Sequence, residues 1–139
     1  MIGFLMLLSI PSVSFASEQP PLNGAGEWDI IYQGTINANG GRTPIAYSGG
    51  GDVRVCINGV NAYNYVSLRL YSDNGSGDSV DDPVLPEMNY WNSNSTQTTR
   101  FCFSKIDADF YKDGSNHLAE FYVKSTASFN DNVVITIED

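Results

Sequence analysis

Between Gly51 and Ser72 the chain reads GDVRVCINGVNAYNYVSLRLYS, two stretches in which every second residue is aliphatic. Val53, Val55 and Ile57 alternate with Asp52, Arg54 and Cys56. Val66, Leu68 and Leu70 alternate with Tyr65, Ser67, Arg69 and Tyr71. Successive side chains of a strand point to opposite faces, so a period of two makes half-buried strands rather than an amphipathic helix. The short polar link at Asn58-Gly59 predicts that the two runs pair as a β-hairpin. Cys56 lies in the first run, and the only other cysteine is Cys102, in TTRFCFS.

Redox compartment decides what two cysteines mean. Residues 1–16, MIGFLMLLSIPSVSFA, are apolar and uncharged and end on small residues at Ser14 and Ala16. That pattern predicts a signal peptide cut after Ala16, hence a secreted or periplasmic protein. Residues 17–26 follow as a Pro- and Gly-containing tether, and 27–139 form the domain. The apolar leader is too short to remain as a spanning helix, and no later stretch is long enough, so no membrane span is expected. In an oxidising compartment the two cysteines form one disulfide, Cys56–Cys102. A catalytic thiol would need an adjacent base, and the chain has one histidine, His117.

The rest of the chain repeats the β pattern. Trp28, Ile30, Tyr32 and Ile36 share one face of a strand that Gly34 interrupts, which marks a bulge or a close backbone approach. Trp28 is expected in the core and Trp91 nearer the surface. Phe101 and Phe103 flank Cys102; Ala119, Phe121 and Val123 alternate with Leu118, Glu120, Tyr122 and Lys124; Val133, Ile135 and Ile137 end the series. Asn, Gly, Asp and Ser turns separate them, NANGGRT at 37–43 among them. Roughly seven to nine short strands without a helical period make an all-β domain, read here as one antiparallel β-sandwich of jelly-roll or Greek-key type.

Sixteen acidic against seven basic residues leave a net charge of −9. Nucleic-acid binding needs a basic stripe, so nucleic acid and anionic lipid are poor partners. No nucleophile elbow, no zinc-ligand set and no identifiable carboxylate pair occurs, so no enzyme is expected. Two surfaces remain. In the loop DNGSGDSVDDP, Asp73, Asp78, Asp81 and Asp82 are oxygen donors of the kind calcium takes, although their spacing is not that of an EF-hand. No motif requires a cofactor, and calcium is the one ion that loop suits.

Tyr63, Tyr65 and Arg69 share parity on the second strand, and Tyr90-Trp91 stands beside amides and hydroxyls. Flat rings next to hydrogen-bonding groups suit sugar rings. These residues predict a non-catalytic module that binds a glycan or cell-surface polymer, assisted by calcium. The alternative is a protein-interaction protein, a small inhibitor or a matrix or filament subunit, that pairs through sheet edges and acidic charge.

Overall fold

The computed structural model describes residues 27–75, 81–113 and 116–139. The expected signal peptide and tether lie outside these residues. Among these described residues eleven strands run in chain order: β1 (Ile30–Asn37), β2 (Ala46–Ser48), β3 (Asp52–Asn58), β4 (Tyr65–Ser72), β5 (Asp82–Pro83), β6 (Met88–Trp91), β7 (Phe101–Cys102), β8 (Ile106–Asp107), β9 (Lys112–Asp113), β10 (Leu118–Ala127) and β11 (Asn132–Glu138). A single turn of 3-10 helix, Ala108–Tyr111, interrupts them. The first sheet has the order β1-β11-β3-β7, with β8 also on β3. The second has the order β2-β10-β4-β5, with β6 also on β4 and β9 on β10. Their strand pairings are antiparallel.

One core joins the sheets. Ile36, Val53, Val55, Ile57, Val133, Ile135 and Ile137 enter it from the first, and Val66, Leu68, Leu70, Phe121 and Val123 from the second. This explains why the expected β3–β4 hairpin does not form. β3 lies between β11 and β7, whereas β4 lies between β10 and the β5–β6 edge. Two aliphatic faces placed side by side in a hairpin would still need a cover; placed in opposite sheets they cover one another. The link from Gly59 to Asn64 therefore crosses between layers. Gly59 takes φ 86° and Tyr63 φ 58°, so Tyr63 belongs to this crossing and not to the strand.

β1 departs from strict alternation. Its register against β11 shifts between Ile30 and Tyr32, a β-bulge. Ile30, expected inside with Tyr32 and Ile36, is turned outward opposite Glu138, while Ile31 packs against the core. The bulge lies at Ile30–Tyr32 rather than at Gly34, and what a Cβ at Gly34 would meet is the Tyr32 side chain, not a neighbouring backbone.

Trp28 is not in the core either. It is half-buried, with the Arg54 guanidinium carbon 4.0 Å from its ring centroid. Arg54 also donates to Glu138 Oε2 at 2.8 Å, and Arg100 pairs with Oε1 of the same carboxylate. Beneath this cluster Cys56 and Cys102 stand opposite one another on β3 and β7 and are joined as the disulfide, with Cα atoms 4.0 Å apart. The bond ties a two-residue edge strand to the central part of the sheet.

Candidate functional site

On β4 the aliphatic residues fill the core, so Tyr65, Ser67, Arg69 and Tyr71 are left on the outer face of the second sheet. Strand register arranges their neighbours in rows. Tyr65 is opposite Trp91 on β6; Ser67 lies between Asn89 on β6 and Thr126 on β10. Arg69 is opposite Lys124, and Arg42 bridges Lys124 from the far side. Tyr71 is opposite Tyr122, their rings stacked with centroids 5.2 Å apart and 8° between planes. The face thus reads, in order along β4, aromatic, hydroxyl and amide, cationic, aromatic.

Local sequence builds each row. Arg42 is brought to β10 by the turn at 37–43. Asn37 Oδ1 accepts from Asn39 N at 2.8 Å, and Gly40 takes φ 84°. A Cβ on Gly41 would strike the Asn37 carbonyl, so the tight turn needs glycine there. The turn docks through Gly40 N to Ser125 O at 3.0 Å and Ser125 N to Gly41 O at 2.9 Å. The Arg42 guanidinium carbon then lies 3.9 Å from the Tyr122 ring centroid, and Lys124 Nζ lies 5.2 Å from that of Tyr71, within cation–π range.

At the other end, buried Asn92 fixes the aromatic row. Its Nδ2 donates to Val60 O at 2.9 Å and to Thr96 O at 2.7 Å, and its Oδ1 accepts from Asn94 N at 3.1 Å. Through its main chain it also holds Asn64 and Tyr63. Trp91 and Tyr63 are each 66% exposed and Tyr65 46%, which leaves ring area open to solvent. The Tyr65 hydroxyl donates to Asn89 Oδ1.

Between the rows runs a groove of about 560 Å³, whose lining includes Arg42, Ser67, Arg69, Glu87, Lys124 and Thr126. The Ser67 side chain is buried there, and its Oγ makes no hydrogen bond.

The family model described as the YndA coiled coil domain matches residues 30–137. The chain belongs to this family. It is similar to an uncharacterized protein YndA of Bacillus subtilis (strain 168), 38% identical over 125 residues that cover 88% of this chain and 85% of the relative. No solved structure matches. The coiled coil of the family's description has no counterpart among the described residues, whose longest helix is the four-residue 3-10 turn. A coiled coil needs apolar residues every 3.5 positions, and these strands repeat every two.

Of the residues singled out by sequence, Tyr65, Arg69 and Trp91 share the outer face, and Tyr63 stands exposed in the crossing that leads into β4. Tyr90 does not join them. Its neighbours on β6 alternate, so it turns inward, half-buried, with its ring 4.6 Å from Phe101 and its hydroxyl 2.8 Å from Thr98 Oγ1.

Of the acidic loop, Asp78 lies outside the described residues and Asp82 is exposed on β5. Asp73 Oδ1 accepts from Gly75 N at 2.8 Å. Asp81 accepts from Asn74 N at 3.1 Å and from the Tyr122 hydroxyl at 2.7 Å. Among the described residues, the one cluster with metal-ligand spacing is Cys56, Cys102 and Glu138, and its two sulfurs are bonded to each other. His117 is exposed, in a turn at φ 56°.

Arg42, Tyr122 and Lys124 were missed as site residues. The alternation of β10 already put Tyr122 and Lys124 on one face. What was lacking was the pairing of β10 with β4, which makes that face continuous with Tyr65 and Arg69.

Proposed function

We propose that the protein is an exported, non-catalytic binding module for a glycan or cell-surface polymer, carried on a β-sandwich of jelly-roll or Greek-key type. The supporting observation is the outer face of the second sheet, where Trp91 and Tyr65 are directly opposed and exposed and lead along β4 into a groove whose lining includes Arg69, Lys124, Arg42 and Glu87. Exposed rings on a rigid sheet give contact area at little conformational cost, and adjoining hydroxyl and amide groups give direction. Tyr65 and Arg69 are four residues apart, about 13 Å along a strand. A polymer can reach from the aromatic row to the cationic row where a single sugar ring cannot. A calcium ion at the acidic loop would have to compete with main-chain amides and Tyr122 for Asp73 and Asp81, so the reading stands without one.

The test is retention of the full chain on immobilised neutral and acidic polysaccharides, with calcium and with chelator. Retention that falls at least tenfold in Trp91→Ala supports the reading, and retention indifferent to Trp91 sinks it.

A second reading, a subunit that pairs through sheet edges, is favoured by β1. Among the described residues this eight-residue strand pairs only with β11 and so ends the first sheet. Its bulge at Ile30–Tyr32 is a common device against such pairing, which weakens the case. Mass measurement in solution decides it: a monomer at high concentration rules out assembly through this edge.

A further inference from the structure

We propose that the ligand of this face is an acidic glycan, whose carboxylate or phosphate ester is held by Arg69, Lys124 and Arg42 above the Ser67 hydroxyl. This rests on the glycan-binding reading and adds the charge of the ligand to it.

Composition alone does not lead to such a row. The chain carries seven basic residues in a net charge of −9, yet three of the seven stand side by side across β4, β10 and the 37–43 turn. Like charges directly opposite one another on a sheet are destabilising in themselves. The sheet nevertheless sets Arg69 against Lys124 and brings Arg42 to the other side of the same lysine. Arg42 stacks on the Tyr122 ring, and Lys124 lies over the Tyr71–Tyr122 pair, so ring contacts orient both cations. Among the described residues no ion pair holds Arg69.

A second, independent feature lies in the same groove. Ser67 Oγ is buried and makes no hydrogen bond among the described residues, which is rare for a polar group in a folded chain. A hydroxyl beside cations suits an anionic oxygen, to which it can donate. Glu87, the acidic residue of the lining, leaves an acceptor for a sugar hydroxyl and keeps the groove from being purely cationic. Spaced negative charges on a saccharide fit this mixture. A dense polyanion such as nucleic acid would meet the repulsion of the remaining acidic surface.

The experiment compares binding of the full chain to polygalacturonate and to its fully methyl-esterified form, which share a backbone and differ in charge. A phosphomannan against unsubstituted mannan distinguishes phosphate from carboxylate, and a single-stranded DNA oligonucleotide tests for a general polyanion site. The proposal expects one acidic polymer to bind at least tenfold more tightly than its neutral counterpart. Arg69→Gln and Lys124→Gln should each lose at least fivefold on the acidic form and little on the neutral one. Thermal unfolding of both variants confirms that the fold is retained.

Equal affinity for acidic and neutral forms, still lost in Trp91→Ala, would overturn the acidic ligand and keep the glycan reading. Binding to none of the polysaccharides would overturn both. DNA bound as tightly as the acidic polymers would replace the saccharide with a general polyanion.

Discussion

Arg69 and Lys124 face each other directly across β4 and β10, a like-charge pair in a strongly acidic chain. Opposed like charges cost about 0.2–1 kcal/mol relative to a neutral pair. Arg69→Gln should therefore raise stability by a few tenths of a kcal/mol at low ionic strength, by urea unfolding. The gain should shrink as added salt screens the pair. A loss of stability at low salt would mean that the cation row is held by attraction.

Ser67 supplies a companion test. Its hydroxyl is buried without a hydrogen bond, so deleting it removes a desolvated polar group and no contact partner. Ser67→Ala should unfold at the same urea concentration as the parent or higher, a gain of up to about 1 kcal/mol. A clear loss would show that the hydroxyl has a structural partner.

Asn92 is the opposite case. Asn92→Ala removes the side-chain bonds to the Val60 and Thr96 carbonyls, while Thr98 N still donates to Val60 O and the main-chain bonds to Tyr63 and Asn64 remain. The expected cost is about 1–2 kcal/mol, from the hydrogen bonds of a buried amide that are lost together. An unchanged denaturation midpoint would contradict the role given to this amide.

Reducing the disulfide should destabilise more. With the cysteines 46 positions apart in sequence, chain entropy alone amounts to about 4 kcal/mol. Urea unfolding with and without reductant measures it, and a shift under about 1 kcal/mol would mean that the reduced chain is already restrained.

Glu138 and Asp139 should respond to pH in opposite directions. Burial alone would raise Glu138, but hydrogen bonds from Arg100 and Arg54 outweigh it and hold the carboxyl below its usual value. Its stabilisation is full above the ordinary carboxylate range and is lost as the pH falls through the lower native value. For Asp139, burial is the largest influence and raises the carboxyl, with nearby Asp29 adding to the effect. A native value above the unfolded one means that the charged form weakens the fold at neutral pH, and that deficit shrinks as the pH falls through the raised value. Asp139→Asn should thus raise the neutral-pH urea midpoint and remove the gain on mild acidification. Glu138→Gln should lower that midpoint and flatten the acid limb. Two variants with identical pH profiles would refute this division.

Much of this architecture could be read from residue order, and the exceptions have physical causes. Period-two alternation identified β3, β4, β10 and β11, because a half-exposed strand must alternate whichever sheet it enters. For the same reason it could not say that β3 and β4 belong to opposite sheets. The disulfide was legible because only two cysteines exist. Trp28 was misjudged because a large ring can be covered from outside by Arg54, which leaves no local pattern. Ile30 was displaced by a bulge that shifts parity by one. Tyr65, Arg69 and Trp91 were found through composition and parity, whereas Arg42 and Lys124 needed the long-range register between β10, β4 and the 37–43 turn.

The most direct measurement is the affinity of Trp91→Ala, against the parent chain, for whichever polysaccharide the parent retains best. Trp91 is mostly exposed and its main contact is the cross-strand pair with Tyr65, so the substitution should leave thermal unfolding within about 1 kcal/mol of the parent. A drop in affinity of tenfold or more with the fold intact is the result expected of a binding face. Equal affinity in parent and variant would contradict it.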